Sequence, residues 1–484
     1  MRTQFYFRLL WCTIALCTVW GTAFSVAMPC AVAEEMVSIG VATADITPPI
    51  PFRLSGYFNE RLATGTKDPL LVKAIVFEQG NTRVALAICD VISLDGQVPE
   101  AIRKQVHERL GIPQEAVIVT GTHTHTGPLY NDVLADFLHQ QAIQKSNDGT
   151  DPAQTIDYAE QLISTVVECI VQASKQVQPS TFAVGTVDEN RLSFNRRFHM
   201  KNSNTVVFNP GGKNPQIDRA AGPIDPEVTM LLFTQAGQNK PFACFTNFAL
   251  HLDTTGGTLY SADYPFYLSN VLQKLYGDAF VSFFGTGTCG DINHIDVTAD
   301  QQRSAPEIGT MLGETVRDAQ ATLKQSPRPM LGWAYYQLPV KIQIFTKKEL
   351  AASKAMLPDI VTEGGKKTFL ERVRATTVLD LAQNFSDGKT TLLVQAVTLD
   401  ENTAIVAIPG EVFVEIGLAI KKASPFKYTA VVELSGRNIS YVPTAKAFSE
   451  GSYETVNSRI APGEGERLVD AATAVLLSLK SIKP

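Results

Sequence analysis

The chain has 484 residues, 45% hydrophobic and 19% charged, which is enough apolar sequence for a large buried core. A net charge of -6 at neutral pH, with no dense Lys/Arg run, excludes a nucleic-acid partner. Seven cysteines without paired spacing argue against a zinc-thiolate cluster.

Arg2 and Arg8 precede an apolar stretch over 9–28, and Ala31-Val32-Ala33 has the small-x-small form of a signal-peptidase site. This predicts a signal peptide over 1–33, cleaved before Glu34, and an exported protein that is periplasmic or secreted. An uncleaved anchor is the alternative, since about 20 apolar residues span a bilayer. Pro29 before Cys30 fits a lipoprotein signal poorly. Cys12, Cys17 and Cys30 leave with the signal; Cys89, Cys169, Cys244 and Cys289 read as small buried hydrophobes, with at most one disulfide.

In the mature chain, an alternating segment over 36–43 ends at the prolines after Asp45-Ile46-Thr47. Strands over 70–78 and 82–89 form a hairpin, and Asp90 stands at its end. Pro99 in a first turn, Ile102, Val106 and Leu110 at helical spacing, and Gly111 as a stop predict a helix over 99–109. The apolar run 116–120 is then a strand, so strand, helix, strand argues for an α/β protein with parallel pairing. Residues 130–155 are polar and read as a surface excursion, placed to rim whatever follows strand 116–120. A strong amphipathic helix covers 156–175, and 201–226 is polar and rich in glycine and proline.

Strands follow over 228–233, 241–250 and 279–284, then a helix over 306–324 and a strand over 331–345. After a further helical region, 391–399 and 403–408 form a hairpin, and a helix of about ten residues follows Glu411. Residues 428–434 are a strand and 464–479 a helix. The expected class is α/β, with mixed β-sheets flanked by helices. The sequence shows no internal repeat, and no linker demands a second mature domain.

Chemistry concentrates at strand ends. The run 116–120 leads into Gly121-Thr122-His123-Thr124-His125-Thr126-Gly127-Pro128, and 241–250 leads into His251. In an extended chain residues two apart share a side, so His123 and His125 can address one spot. Imidazole is the commonest metal ligand near neutral pH, although a His-x-His pair alone fits a structural role equally well. Glu411 after Pro409-Gly410 suits a helix first turn as readily as a ligand position. Asp90, Asp263 and Asp291 read as caps or as partners that orient a histidine. His107, His139 and His199 lie in polar surroundings and read as surface residues.

Taken together and in order, His123-x-His125, His251, Pro-Gly-Glu411 and Tyr441-Val442-Pro443-Thr444 resemble the neutral (non-lysosomal) ceramidase family. The resemblance runs from about residue 37 to about 460, as scattered motifs in the right order, and is to the family's catalytic N-terminal domain. It implies one domain over 34–484, without the smaller C-terminal sandwich domain that some members carry. It implies Zn2+ held by His123, His251, Glu411 and Tyr441. His125 would face the reacting carbonyl, and Tyr453 would donate a hydrogen bond to substrate. Arg196, in Asn195-Arg196, matches the family's arginine, with Arg191 of Asn190-Arg191 as its rival. The implied reaction is zinc-dependent hydrolysis of an N-acyl bond in a lipid amide such as ceramide, with transient contact with a membrane surface. The alternatives are a zinc hydrolase of a non-lipid amide or ester, and a non-catalytic metal-binding member of the family.

This sequence departs from the family at one stretch. The family's Gly-Asp-x-Ser-Pro-Asn is Gly290-Asp291-Ile292-Asn293-His294 here. Asparagine cannot form an acyl-enzyme, so a serine nucleophile at Asn293 is excluded, whereas metal-assisted hydrolysis survives. Asn293 can still donate a hydrogen bond to substrate, and the change is read as altered substrate choice.

Overall fold

The computed structural model describes residues 36–481, apart from 95, 131, 147, 154–155 and 361–366. The predicted signal peptide lies outside the described residues. Among those described, no helix is long and apolar enough to cross a membrane.

Two β-sheets share a core. The larger runs, in spatial order, Val281–Thr286, Pro241–Phe248, Glu227–Gln235, Gln178–Asp188, Ser38–Asp45, Leu71–Gln79, Thr82–Cys89 and Val117–Gly121, with the short strand Lys324–Gln325 paired to Gln178–Asp188. The second runs Pro329–Lys341, Lys389–Asp400, Thr403–Ala407 and Tyr428–Val432. Their apolar runs are nearly unbroken because both faces are covered. In Tyr428–Val432, Ala430 and Val432 join Phe245 and Phe283 between the sheets, whereas Val431 faces a second core with Ala472, Val475 and Leu476 of the helix Glu464–Lys480. Likewise Phe245 faces the second sheet while Cys244 packs under the helices Tyr264–Tyr276 and Ala305–Ala319. The period of two thus assigns alternate residues to different cores.

Topology sets the site. Thr82–Cys89 and Val117–Gly121 are parallel, joined through the helix Val98–Leu110, and two further parallel pairs are Pro241–Phe248 with Val281–Thr286 and Thr403–Ala407 with Tyr428–Val432. Their carboxyl ends are stitched together across the sheets. Thr286 Oγ1 donates to Thr122 O at 2.9 Å, Glu433 N to Thr286 O at 2.9 Å, and Thr120 Oγ1 to Glu433 O at 2.8 Å. Ligand sites of α/β folds form where carboxyl ends of parallel strands meet, and the histidines emerge there.

Some elements differ from the sequence reading. The expected excursion over 130–155 contains a helix, Val133–Lys145, that buries Leu134 and Leu138. Asp132 caps it by accepting from Leu134 N at 2.7 Å, and the apolar pair four residues apart gives it a face to bury. The polar stretch 201–226 supplies most of a small three-stranded sheet, Arg197–Met200, Val206–Phe208 and Ile217–Ala220. The helical region after 345 is two helices, Lys347–Ile360 and Phe369–Asn384. Cys89, Cys169, Cys244 and Cys289 are free and buried, as small hydrophobes would be.

Candidate active site

Strand Val117–Gly121 ends before the histidines, and His123 adopts a left-handed φ of 78°. The expected pleat alternation therefore does not bring His123 and His125 together; a turn does, with ring centroids 5.1 Å apart. A left-handed φ at a residue other than glycine costs on the order of 1–3 kcal/mol, and such strain gathers at functional sites.

His251 completes the cluster. Its Nε2 lies 3.1 Å from His123 Nε2 and 3.1 Å from His125 Nε2, and all three residues are buried. Glu411 is brought in by the parallel bridge that pairs it with Tyr441, and its Oε2 reaches 3.3 Å from His123 Nε2. That Oε2 is buried without a hydrogen-bond partner. The outer ring nitrogens explain the arrangement. His123 Nδ1 is 2.8 Å from Ile92 O, and His251 Nδ1 is 3.4 Å from Cys289 O. A carbonyl oxygen requires a proton on Nδ1, so both Nε2 atoms present lone pairs. At His123 a lone pair meets both the His251 lone pair and the Glu411 oxygen, a repulsion that a divalent cation there would remove. The ring nitrogens of His123, His125 and His251 lie within 4.8 Å of one another, and this donor set fits a metal.

His125 is built differently. Its Nδ1 lacks a hydrogen-bond partner and lies 3.5 Å from Asp253 Oδ1, a carboxylate oxygen that also accepts from Tyr57 OH. Burial holds the His125 imidazole down at about 4, against the pull of Asp253. Burial and the neighbouring His123 likewise press His251 well below the ordinary histidine range. Burial opposes ionisation of Glu411, but His123, Tyr441 and Arg196 together outweigh it and the carboxyl stays below its usual value.

The family model described as "Neutral/alkaline non-lysosomal ceramidase, N-terminal" matches residues 37–292, more than half of the chain. The chain belongs to the neutral/alkaline non-lysosomal ceramidase family. Neutral ceramidase B of Dictyostelium discoideum is 26% identical over 279 residues, covering 54% of this chain and 36% of that protein. Neutral ceramidase 3 of Arabidopsis thaliana is 23% identical over 235 residues, covering 46% and 28%. The chain thus spans well under half the length of these curated relatives. The crystal structure of neutral ceramidase from Pseudomonas aeruginosa superposes with a TM-score of 0.69 at 17% identity, over 93% of this chain and 75% of that one. A structure titled "Ceramidase complexed with C2" gives 0.68 at 18% identity over 93% and 76%. These two likenesses establish the fold.

In this ceramidase-family chain the other expected residues fall into two groups. Arg196 is buried at the site: Nε donates to Glu454 Oε1 at 3.0 Å and Nη2 to Gly290 O at 2.7 Å, with the Tyr441 ring 5.4 Å away. Burial opposes its charge, yet Tyr441 and Glu454 raise it well above the ordinary range. The rival Arg191 pairs with Glu189 on the surface, its side chain 57% exposed. Tyr441 and Tyr453 meet edge to face at 5.4 Å. Burial pushes the Tyr453 hydroxyl up to about 12, and Asn457 Nδ2 donates to it at 3.1 Å, so its own proton is available to another acceptor. Asn293 is buried; its Nδ2 donates to Asn209 Oδ1 at 2.8 Å and its Oδ1 accepts from Ile295 N at 3.0 Å, which ties it to neighbouring loops.

Sequence reasoning missed several supports. Asp253 follows His251 by two residues, the spacing that singled out His125, and that signal was available. Glu433 is fully buried; its Oε2 accepts from Val412 N at 2.6 Å and Cys289 N at 3.2 Å. It thereby fastens the Glu411 strand to the residue whose carbonyl holds His251. A lone carboxylate closing an apolar strand was its only signal. Glu454, pinning Arg196 and Arg197 at 3.0 and 2.9 Å, had none.

Proposed function

We propose that the protein is an exported, zinc-dependent amidohydrolase that cleaves N-acyl bonds, with His123, His251, Glu411 and Tyr441 holding the metal. The observations that support this are the cluster of His123, His125 and His251 ring nitrogens within 4.8 Å of one another and an unpartnered Glu411 oxygen 3.3 Å from His123 Nε2. A bound zinc supplies an activated water at neutral pH and polarises the scissile carbonyl.

The chain's own residues do the rest. Glu411 or His125 accepts the proton of the attacking water. Tyr453 donates its O–H to the oxyanion, and Arg196, locked by Glu454 and Gly290, holds positive charge beside it. His125, uncharged near neutrality and backed by Asp253, carries a proton to the leaving amine. His125 is the proton carrier rather than a ligand because its Nδ1 lacks the carbonyl anchor that His123 and His251 have. The relatives' names point to ceramides as the substrate class. Exposed Phe369, Leu370 and Ile344 support transient contact with a lipid surface. The domain would span 34–484 after removal of the signal peptide 1–33.

The test is elemental analysis of the purified protein with and without His251→Ala, alongside release of amine from N-acetylsphingosine. About one zinc per chain, lost in the variant together with turnover, is expected. A wild-type protein purified without chelator that holds no stoichiometric metal would overturn the proposal.

A further inference from the structure

Asp253 stands beside the His125 imidazole in an open position: its side chain is 35% exposed, against 10% for that of His125. An ion pair with one partner so exposed is worth little by itself, since water competes for the carboxylate and ordering the side chain costs entropy. The backbone next to it is well held. Thr254 N and Thr255 N donate to the buried Asp263 Oδ2 at 3.0 and 2.9 Å. Those bonds fix the chain just after Asp253 and leave its side chain to turn.

The Tyr57 hydroxyl stops that rotation. It donates to Asp253 Oδ1, the same oxygen that lies 3.5 Å from His125 Nδ1. The Tyr57 ring also meets the His125 ring edge to face, with centroids 5.5 Å apart at 72°. Tyr57 is itself 40% exposed, and Arg61 keeps it in place. The Arg61 guanidinium covers the Tyr57 ring at 4.2 Å; its Nη2 donates to Ser55 O and, at 2.7 Å, to His125 O, and its Nη1 donates to Gly257 O at 3.0 Å. One planar fork thereby joins the Tyr57 segment, the His125 turn and the loop after Asp253.

This arrangement limits what Tyr57 can do. A phenol has one proton, and here it is committed to Asp253. Burial and the Asp253 charge push the hydroxyl up, so it remains a donor and not a base.

Building on the amidohydrolase reading, in which His125 carries a proton to the leaving amine, we infer that Tyr57 is a positioning residue whose hydroxyl aims the Asp253 carboxylate at His125 Nδ1. Nδ1 keeps its proton throughout. Nε2 gains the proton that came from the attacking water, directly or through Glu411, and hands it to the departing nitrogen. Asp253 steadies the charge that the ring holds in between, and the 3.5 Å contact tightens as that charge forms.

The experiment is a double-mutant cycle on the zinc-loaded full chain with N-acetylsphingosine as substrate. Tyr57→Phe keeps the ring under Arg61 and removes only the hydroxyl. Its kcat should fall about 10-fold, with KM within about 2-fold of wild type and zinc content unchanged. Asp253→Ala should lower kcat by about 100-fold. In that background Tyr57→Phe should cost no more than about 2-fold further, because a group that acts through Asp253 has nothing left to aim. A full further loss of about 10-fold in the double variant overturns the inference and makes Tyr57 act on substrate directly. A Tyr57→Phe protein with wild-type kcat also overturns it, and in both cases the amidohydrolase reading stands. Absence of turnover by wild type overturns both readings, and the Tyr57→Phe comparison decides even if Asp253→Ala does not fold.

Discussion

Gly290 is where the loop behind His251 passes closest to the strand that carries Glu411. A Cβ there would lie 2.4 Å from the Glu411 carbonyl oxygen and 2.9 Å from its carbonyl carbon, and ordinary contact begins at 3.4 Å. Neither partner is a flexible side-chain end, so Gly290→Ala must push the two backbones apart by about 1 Å, and a misplacement of that size can cost about 100-fold in rate. Both sides of the contact bear site groups: Glu411 reaches His123, and Gly290 O receives Arg196 Nη2 at 2.7 Å. The expected loss in kcat/KM on N-acetylsphingosine is therefore about 100-fold, or roughly 2.7 kcal/mol of transition-state stabilisation, with a fall in zinc content. Overpacking should cost about 1–3 kcal/mol of stability as well, read by chemical denaturation. Gly212, whose Cβ would meet open space, supplies the control, and Gly212→Ala should behave as wild type. A Gly290→Ala protein with wild-type zinc and wild-type kcat/KM would refute the claim that this close approach sets the site.

Gly56 bears on a different group. It has φ +102°, and a Cβ would stand 2.7 Å from His125 Cβ and Cγ. Gly56→Ala should thus move a proton carrier and not a ligand, lowering kcat by about 100-fold with zinc retained; parallel loss of zinc would make His125 a ligand. Asp291 is fully buried, and burial raises its carboxyl to about 6. A folded-state value above the unfolded 3.8 means that the folded chain binds the proton more tightly, so stability falls as pH rises from about 4 through 6. Asp291→Asn removes this titration at the cost of one of the two acceptors that hold Val414 N and Asn195 Nδ2, so its stability, read from urea midpoints, should fall less than that of wild type between about pH 4 and pH 7.5; an equal fall in both proteins would refute the assignment.

Much of the fold was legible because its strands are buried on both faces, and unbroken apolar runs such as 241–248 announce themselves regardless of neighbours. The helix Val133–Lys145 was not, since Leu134 and Leu138 are its buried residues and the rest reads as loop. The histidines and Glu411 were legible as residue types at strand ends. Their convergence was not, because the pleat argument for His123 and His125 applies to an extended chain and His123 has left-handed φ. The family resemblance singled out both residues; local periodicity alone would have placed them together for the wrong reason.

The supports that escaped the sequence have a common physical character. Gly56, Glu433 and Glu454 act across chain separations that no local pattern encodes, such as the Glu454 carboxylate gripping Arg196 258 positions away. Each fixes a group by close packing or by a buried polar contact, and in a dense interior neither can shift without moving the group it holds. The change at Asn293 is consistent with this division. Its amide bonds to Asn209 and Ile295, which ties the stretch that departs from the family pattern to neighbouring loops. Groups held by the joined strand ends and groups held by the surrounding loops can therefore vary separately, so a change of loop sequence can alter what enters the cleft without moving the residues at its base.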